Sequence, residues 1–129
     1  LTGCLTRVSF AKAPAVCGTG FHEVAPRKSD YALASAAAQI NFATGSGVTS
    51  IHLGIGSVGD FPERLDVDQL CGTPLDDAAI ADAVHAAMQM VETVEDLHAT
   101  AAYRKRVATE LAIRALRDAR DEISTDLNQ

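Results

Sequence analysis

The sequence predicts an α+β fold, in which an antiparallel sheet of about three strands is followed by two to three helices packed on one face. The first half of the chain has apolar residues at every second position, and the second half has them at helical spacing. Strands that precede helices, rather than alternating with them, are typical of a helical layer on an antiparallel sheet. The 129 residues are enough for a single domain, 1–129, with one core.

The strands are predicted in the first half of the chain. Residues 5–10 (LTRVSF) have the alternation of a first strand, and Pro14 with the glycines of residues 18–20 predicts a loop. Residues 31–56 predict a hairpin around the turn TGSG, because period-two alternation outweighs the helix propensity of alanine. One face of its first strand is rich in small side chains, which would let helices pack closely on it: Ala32, Ala34, Ala36, Ala38, Ile40 and Phe42. One face of its second strand has Thr49, Ile51, Leu53 and Ile55.

Helices are predicted in the second half. Residues 65–72 suit a short helix that ends at Gly72. Residues 73–92 suit a longer helix with Thr73 as its N-cap and Pro74 in its first turn. Residues 100–123 form the last helix, with an apolar stripe of Val107, Leu111, Ala115, Ala119 and Ile123. Four of its arginines are expected to face water or a partner: Arg104, Arg114, Arg117 and Arg120.

Composition narrows the function classes. The formal net charge of −6, without a basic stripe, argues against nucleic-acid binding. No apolar run approaches 18 residues, so no membrane span is predicted. Three cysteines without a C-x-x-C pair indicate a reduced, cytoplasmic protein. The first residue is Leu rather than Met, so we expect a processed product or a piece of a longer protein.

The spacing Gly54-x-Gly56-x-x-Gly59 is that of a dinucleotide-binding loop. Such a loop also needs a helix that begins at its last glycines, and Pro62 disfavours one there. It needs an acidic residue at the end of a second parallel strand, whereas Asp76 and Asp77 begin a predicted helix. We therefore interpret the glycines as a structural exit from a strand.

No catalytic or metal site is predicted. The four histidines form no pair at helical spacing, and His85 is expected to be a partly buried structural residue. Cys71 is expected to be a small buried apolar residue. A hydrolase that uses Cys71 stays a minor alternative, because a Cys–His pair can meet only in the fold. The polar stretch FHEVAPRKSDYA, residues 21–32, is either a solvated loop or a functional loop between two strands.

This polar stretch resembles a known family. FHEVAPRKSDYALASAAAQI is similar to the F-x-E-V-x-R-R-x-G-D-[FY]-A-L-V segment of the flavoprotein subunits of molybdenum hydroxylases, which include carbon monoxide and xanthine dehydrogenases. IHLGIGSVGDFPERL resembles their L-x-L-G-G-V-G-x-x-P-x-R segment, and LCGTPLDDAAIADAVHAA resembles a helix start. DLHATAAYRKRVATELAIRAL resembles D-x-x-x-S-x-x-Y-R-x-x-[LV], and LTRVSF fits the strand that opens the same domain.

The resemblance implies the C-terminal domain of an FAD-containing electron-transfer subunit. The larger FAD-binding domain that precedes it in the family is absent from this sequence. The complete enzyme would be an oxidoreductase with molybdopterin and iron–sulfur clusters on partner subunits. This chain alone would not be catalytic and would bind no cofactor by itself. It would pack on the FAD domain through an exposed apolar or arginine-lined face.

The family places the loop after the first strand near the isoalloxazine ring. The resemblance therefore implies His22, Arg27, Asp30 and Tyr31 as cofactor-binding residues. A positive charge there would stabilise the anionic reduced ring, and His22 could supply one only when protonated. Three residues depart from the family pattern. Pro26 and Ser29 stand where an arginine and a glycine are usual, and Ser57 stands in the strand-exit loop where the family often has a small or apolar residue. The alternative function is a free-standing interaction or homodimerisation domain without a flavin role.

Overall fold

A computed structural model describes residues 3–127 and shows four strands followed by two long helices. The strands form one antiparallel sheet in the order β1–β2–β3–β4, with β1 at Cys17–Val24, β2 at Ala34–Ala43, β3 at Gly47–Gly56 and β4 at Glu63–Leu65. A 3-10 turn at Asp68–Leu70 precedes α1 (Asp77–Gln89) and α2 (Ala101–Asp126). The predicted α+β fold is confirmed.

The predicted hairpin is β2–β3. Ile40 lies opposite Ile51, and Ala36 lies opposite Ile55, with these four side chains buried on the face that the helices cover. Gly45 in the connecting turn and Gly47 at the start of β3 adopt φ angles of 87° and 73°, a conformation that glycine adopts without steric cost. The small side chains of β2 do lie under α2, as the alternation of alanines predicts.

The first strand is Cys17–Val24, and its prediction at residues 5–10 is wrong. Residues 5–10 belong to no helix or strand, and Leu5, Val8 and Phe10 are exposed. Gly18 and Gly20 lie inside β1 because the backbone of α2 lies directly over it. A Cβ atom at Gly20 would lie 2.9 Å from the Ala115 Cα and still closer to its carbonyl group. Glycines that suggest a loop in the sequence are therefore positions of close packing.

The start of α1 also differs from its prediction. Residues 65–72 contain the end of β4 and a single 3-10 turn rather than a short α-helix. Asp76 is the N-cap of α1, since its carboxylate accepts a hydrogen bond of 2.8 Å from the Ala79 amide. Thr73 instead donates its hydroxyl to the Leu70 carbonyl at 2.8 Å. His85 is exposed on α1 rather than partly buried, and Cys71 is half-buried against the core.

The helices cover one face of the sheet and leave the other open. The stripe of α2 is buried at Leu111, Ala115, Ala119 and Ile123. On the opposite face of the sheet, alternate residues such as Ala37 and His52 are exposed. An antiparallel sheet tolerates this arrangement, because one face packs on the core while the other meets water.

Candidate functional site

Three connections meet at one end of the molecule. They are the β1–β2 loop (25–33), the β3–β4 loop (57–62) and the α1–α2 connection (90–100). Because neighbouring strands are antiparallel, the last residues of β1, the first of β2 and the last of β3 lie at the same end of the sheet. The N-terminus of α2 lies there too. Between these segments is an open cleft of about 460 Å³, with Pro26, Leu33 and Val94 among its apolar lining residues.

Arg104, in the first turn of α2, connects all three segments. Its Nη1 donates to the carbonyl oxygens of Leu33 at 2.7 Å and Ser57 at 2.6 Å. Its Nη2 donates to Asp96 Oδ2 at 2.6 Å. Arg104 is only 5% exposed, so the prediction that it faces water or a partner is wrong. A buried guanidinium requires such pairing, because transfer of an unpaired charge out of water is very costly.

Asp96 holds the α1–α2 connection against the start of α2. Its Oδ1 accepts hydrogen bonds from the amides of His98 at 2.9 Å and Ala99 at 3.0 Å. The His98 amide, the Arg104 guanidinium and the Ala99 amide lower the pKa of Asp96 from 3.8 to about 2, since each stabilises the charged carboxylate. The Val94 amide donates to the Val58 carbonyl at 2.9 Å and ties this connection to the β3–β4 loop.

Three of the four residues implied by the resemblance line the cleft. Arg27 Nε donates to Asp30 Oδ2 at 3.1 Å, and the Asp30 amide donates to the Arg27 carbonyl at 3.1 Å. These bonds close a tight turn in which Ser29 has φ of 70°. Tyr31, the next residue after this turn, is 98% exposed at the edge of the cleft. The turn thus presents a cation, a carboxylate and an aromatic ring together.

His22 lies apart from these three residues. It is in β1 on the face that packs against α2, and its Nε2 lies 2.7 Å from Asp118 Oδ2. His22 is not among the residues that line the cleft. Glu23 is also within β1, so the loop between the strands begins later than residue 21.

The glycine motif does not form a phosphate loop. Gly54 and Gly56 lie within β3, and the chain continues through residues 57–62 into β4 rather than into a helix. No helix N-terminus therefore follows the glycines to bind a pyrophosphate. A Cβ atom at Gly56 would lie 2.7 Å from Ser35 Oγ. The structural interpretation of these glycines is confirmed.

Other sites are not evident among residues 3–127. Within this part of the chain, no three His, Cys, Asp or Glu side chains are grouped as metal ligands. Cys4, Cys17 and Cys71 are free thiols. None of the helices described is long and apolar enough to cross a membrane.

Sequence reasoning missed Arg104 and Asp96 as residues of this site. Both lie in DLHATAAYR, at the first and last positions of the D-x-x-x-S-x-x-Y-R pattern. The eight-residue spacing between these two residues could have indicated their ion pair, because it places an aspartate in the loop before α2 and an arginine in the first turn of that helix. Helical periodicity alone places Arg104 away from the apolar stripe and gives no sign of its burial.

Comparison with known proteins identifies the family. The family described as CO dehydrogenase flavoprotein C-terminal domain matches residues 19–119, which is more than half of the chain. The chain therefore belongs to this family. Its matched region contains the sheet from Thr19 onward, α1, the part of α2 up to Ala119 and the whole cleft. No curated protein matches the chain.

Solved structures show the same fold. A chain of carbon monoxide dehydrogenase from Hydrogenophaga pseudoflava is similar with a TM-score of 0.75 and 24% identity over 84% of this chain. A chain of CO dehydrogenase from Oligotropha carboxidovorans gives 0.74, 26% and 84%. Quinoline 2-oxidoreductase from Pseudomonas putida 86 gives 0.74, 26% and 85%. The chain spans 38%, 38% and 39% of the three matched chains.

Proposed function

We propose that the chain is the C-terminal domain of an FAD-containing electron-transfer subunit of a molybdenum hydroxylase. In this role it packs on the FAD-binding domain of the same subunit and helps to shape the flavin site. The observation that carries the proposal is the convergence of Arg27, Asp30 and Tyr31 on one cleft within a domain of this family. The same end of the molecule exposes the apolar side chain of Leu97, as packing on a second domain requires.

The lining of this cleft suits the edge of a flavin ring system. The apolar residues Pro26, Leu33 and Val94 could contact the ring, and the exposed Tyr31 side chain could pack beside it. Arg27 is paired with Asp30 through its Nε, and within residues 3–127 its other guanidinium donors are available to a partner. FAD would supply the redox chemistry, whereas these residues would orient the ring and exclude water. His22 remains a predicted flavin contact that a His22→Ala variant tests separately.

The complete enzyme would place further partners around this domain. Molybdenum and iron–sulfur subunits would deliver electrons to the flavin, and the assembly would work in the cytoplasm. Two of the structural relatives are CO dehydrogenases and another is a quinoline oxidoreductase, which supports a common electron-transfer role with different substrates. Because the chain covers less than two fifths of each matched chain, this role is assigned to the larger subunit.

A free-standing interaction domain is the second candidate. The open face of the sheet favours it, because Phe21 is 61% exposed there on β1. A large aromatic side chain on an uncovered sheet could be the centre of a homodimer. This candidate predicts a dimer that binds neither flavin nor a flavin domain.

Calorimetric titration separates the two candidates. The chain is titrated with FAD alone, with an FAD-binding domain of the same subunit, and with both. We expect measurable binding only when the FAD domain is present, and weaker binding for Tyr31→Ala. A stable dimer without affinity for the FAD domain would contradict the proposal and support the interaction domain.

A further inference from the structure

We propose that Arg104 is a positioning residue: it fixes the three segments around the cleft in one arrangement, and the flavin domain recognises that arrangement. This inference rests on the proposed function for the identity of the partner. Its first part, the joint fixing of the three segments, concerns this chain alone. The two parts are therefore tested by different measurements.

A single side chain makes the connection. Arg104 contacts the carbonyl oxygens of Leu33 and Ser57 and the carboxylate of Asp96, which lie 71, 47 and 8 positions away along the chain. Each acceptor belongs to a different segment of the cleft. All three distances are 2.7 Å or shorter, as expected for hydrogen bonds from a charged donor. Loss of this side chain would therefore release all three segments together.

Burial supports a geometric role for this residue. Arg104 is almost completely buried, and its Nε has no hydrogen-bond partner among residues 3–127. A buried ion pair often contributes no more stability than apolar side chains of similar volume. What the guanidinium offers in addition is a rigid planar fork that holds several acceptors at fixed angles. The contacts of Arg104 therefore determine the geometry of the cleft more than they stabilise the core.

Each fixed segment also exposes a large apolar side chain. Tyr31 lies two residues before Leu33, and Leu97 follows Asp96 directly. Phe61 lies on the same loop as Ser57, and all three apolar side chains are largely exposed. Because the anchors lie so near these side chains, a shift of the anchors would alter the surface offered to a partner domain.

Hydrogen exchange measured by mass spectrometry tests the first part. Arg104→Lys retains a charge but lacks the fork, and Arg104→Met retains length without charge. We expect both variants to exchange about tenfold faster or more in residues 25–33, 57–62 and 90–100, as loss of charged hydrogen bonds implies. The buried strands should keep their protection. Arg114→Lys and Arg114→Met are the matched controls, because Arg114 is exposed on the same helix. Faster exchange in one segment only, or in none, would overturn the proposal.

Titration with the FAD-binding domain tests the second part. We expect the Arg104 variants to bind it at least about tenfold more weakly than the native chain, with Arg114 variants unchanged. If the native chain does not bind, the proposed function fails while the exchange result still decides the role of Arg104. If the native chain and the Arg104→Lys variant bind equally well, recognition of the fixed arrangement is refuted and the proposed function stands.

Asp96→Asn provides a milder variant in case the Arg104 variants do not fold. It removes the negative charge from one of the three anchors and keeps the size of the side chain. We expect faster exchange in residues 90–100 alone, together with weaker binding of the FAD-binding domain. Unchanged exchange and binding in this variant would overturn the proposal.

Discussion

Gly18 and Gly20 let α2 lie directly against β1. A side chain at either position would overlap the backbone of the helix at Ala119 or Ala115. We therefore expect Gly20→Ala to lower the free energy of unfolding by about 1–3 kcal/mol, the usual cost of overpacking. Urea unfolding followed by circular dichroism measures this change.

Gly54→Ala is the matched control for this change. Gly54 is also within a strand, but its Cβ would have Glu63 O as its nearest neighbour at an ordinary 3.7 Å. We expect a change of less than about 0.5 kcal/mol at this position, as for substitutions without a steric clash. Equal effects at Gly20 and Gly54 would show that the close approach of α2 is unimportant.

Ser29 adopts a backbone conformation that disfavours its own side chain. Its φ of 70° is in the left-handed region, which costs a residue other than glycine roughly 1–2 kcal/mol. We expect Ser29→Gly to raise the free energy of unfolding by about 0.5–1 kcal/mol, after allowance for the greater freedom of glycine in the unfolded chain. The neighbouring Lys28→Gly, which has no such strain to relieve, should lower it. Thermal unfolding of both variants checks the two signs.

The lowered pKa of Asp96 makes the α1–α2 connection sensitive to acid. Its pKa in the folded chain is about 2, below its ordinary value of 3.8. The stabilisation it provides is therefore complete above pH 3.8 and is lost as the pH falls through 2. We expect the amide signals of His98 and Ala99 in NMR spectra to shift over this range. In Asp96→Asn, that acid transition should be absent; its persistence would assign it to another carboxylate.

At the residue scale, the sequence was informative about residues that belong to one short loop. Arg27, Asp30 and Tyr31 were assigned to one loop, and the structure does bring them to one cleft. Arg104 could not be placed, because its burial depends on two carbonyl groups 71 and 47 positions away. Every residue has a backbone carbonyl group, so the amino-acid sequence does not show which distant carbonyl groups will accept hydrogen bonds from Arg104.

The segment before β1 is the element that depends least on the rest of the chain. Residues 3–15 are exposed and belong to no helix or strand. We expect trypsin to cleave first after Arg7 and Lys12, because an exposed segment outside the helices and strands adapts readily to a protease. The shortened product should unfold at the same temperature as the native chain. A lower unfolding temperature, or protection of both sites, would show that this segment packs on the domain. The control is Arg7→Gln with Lys12→Gln, which trypsin cannot cleave at these two positions.

Strands were predicted correctly where their two faces differ in polarity. They were missed where backbone atoms, rather than apolar side chains, make the packing contacts. The β2–β3 hairpin was predicted because its alternating residues are buried on one face. The first strand was missed because Gly18 and Gly20 replace the apolar side chains that mark a strand. The prediction of a short helix at residues 65–72 was wrong, because apolar residues such as Leu65 and Leu70 suit a strand end and a 3-10 turn equally well.

The whole molecule has two surfaces that a partner could cover. Helices on one face of the sheet leave the other face open, where Phe21 is exposed. The cleft end forms a second surface, where Tyr31 and Leu97 are exposed and Arg104 fixes the segments that carry them. The proposed function requires the cleft end, whereas a homodimer would use the open face.

Paired substitutions decide which of these surfaces binds the FAD domain. We expect Tyr31→Ser with Leu97→Ser to weaken binding of that domain by about 2 kcal/mol or more, because exposed aromatic and aliphatic side chains are common anchors of interfaces. Phe21→Ser, on the open face, should leave that affinity unchanged. All three side chains are largely exposed, so folding should be affected little, and circular dichroism checks this. The reverse pattern, with loss only for Phe21→Ser, would move the docking surface to the open face and separate the flavin partner from the cleft.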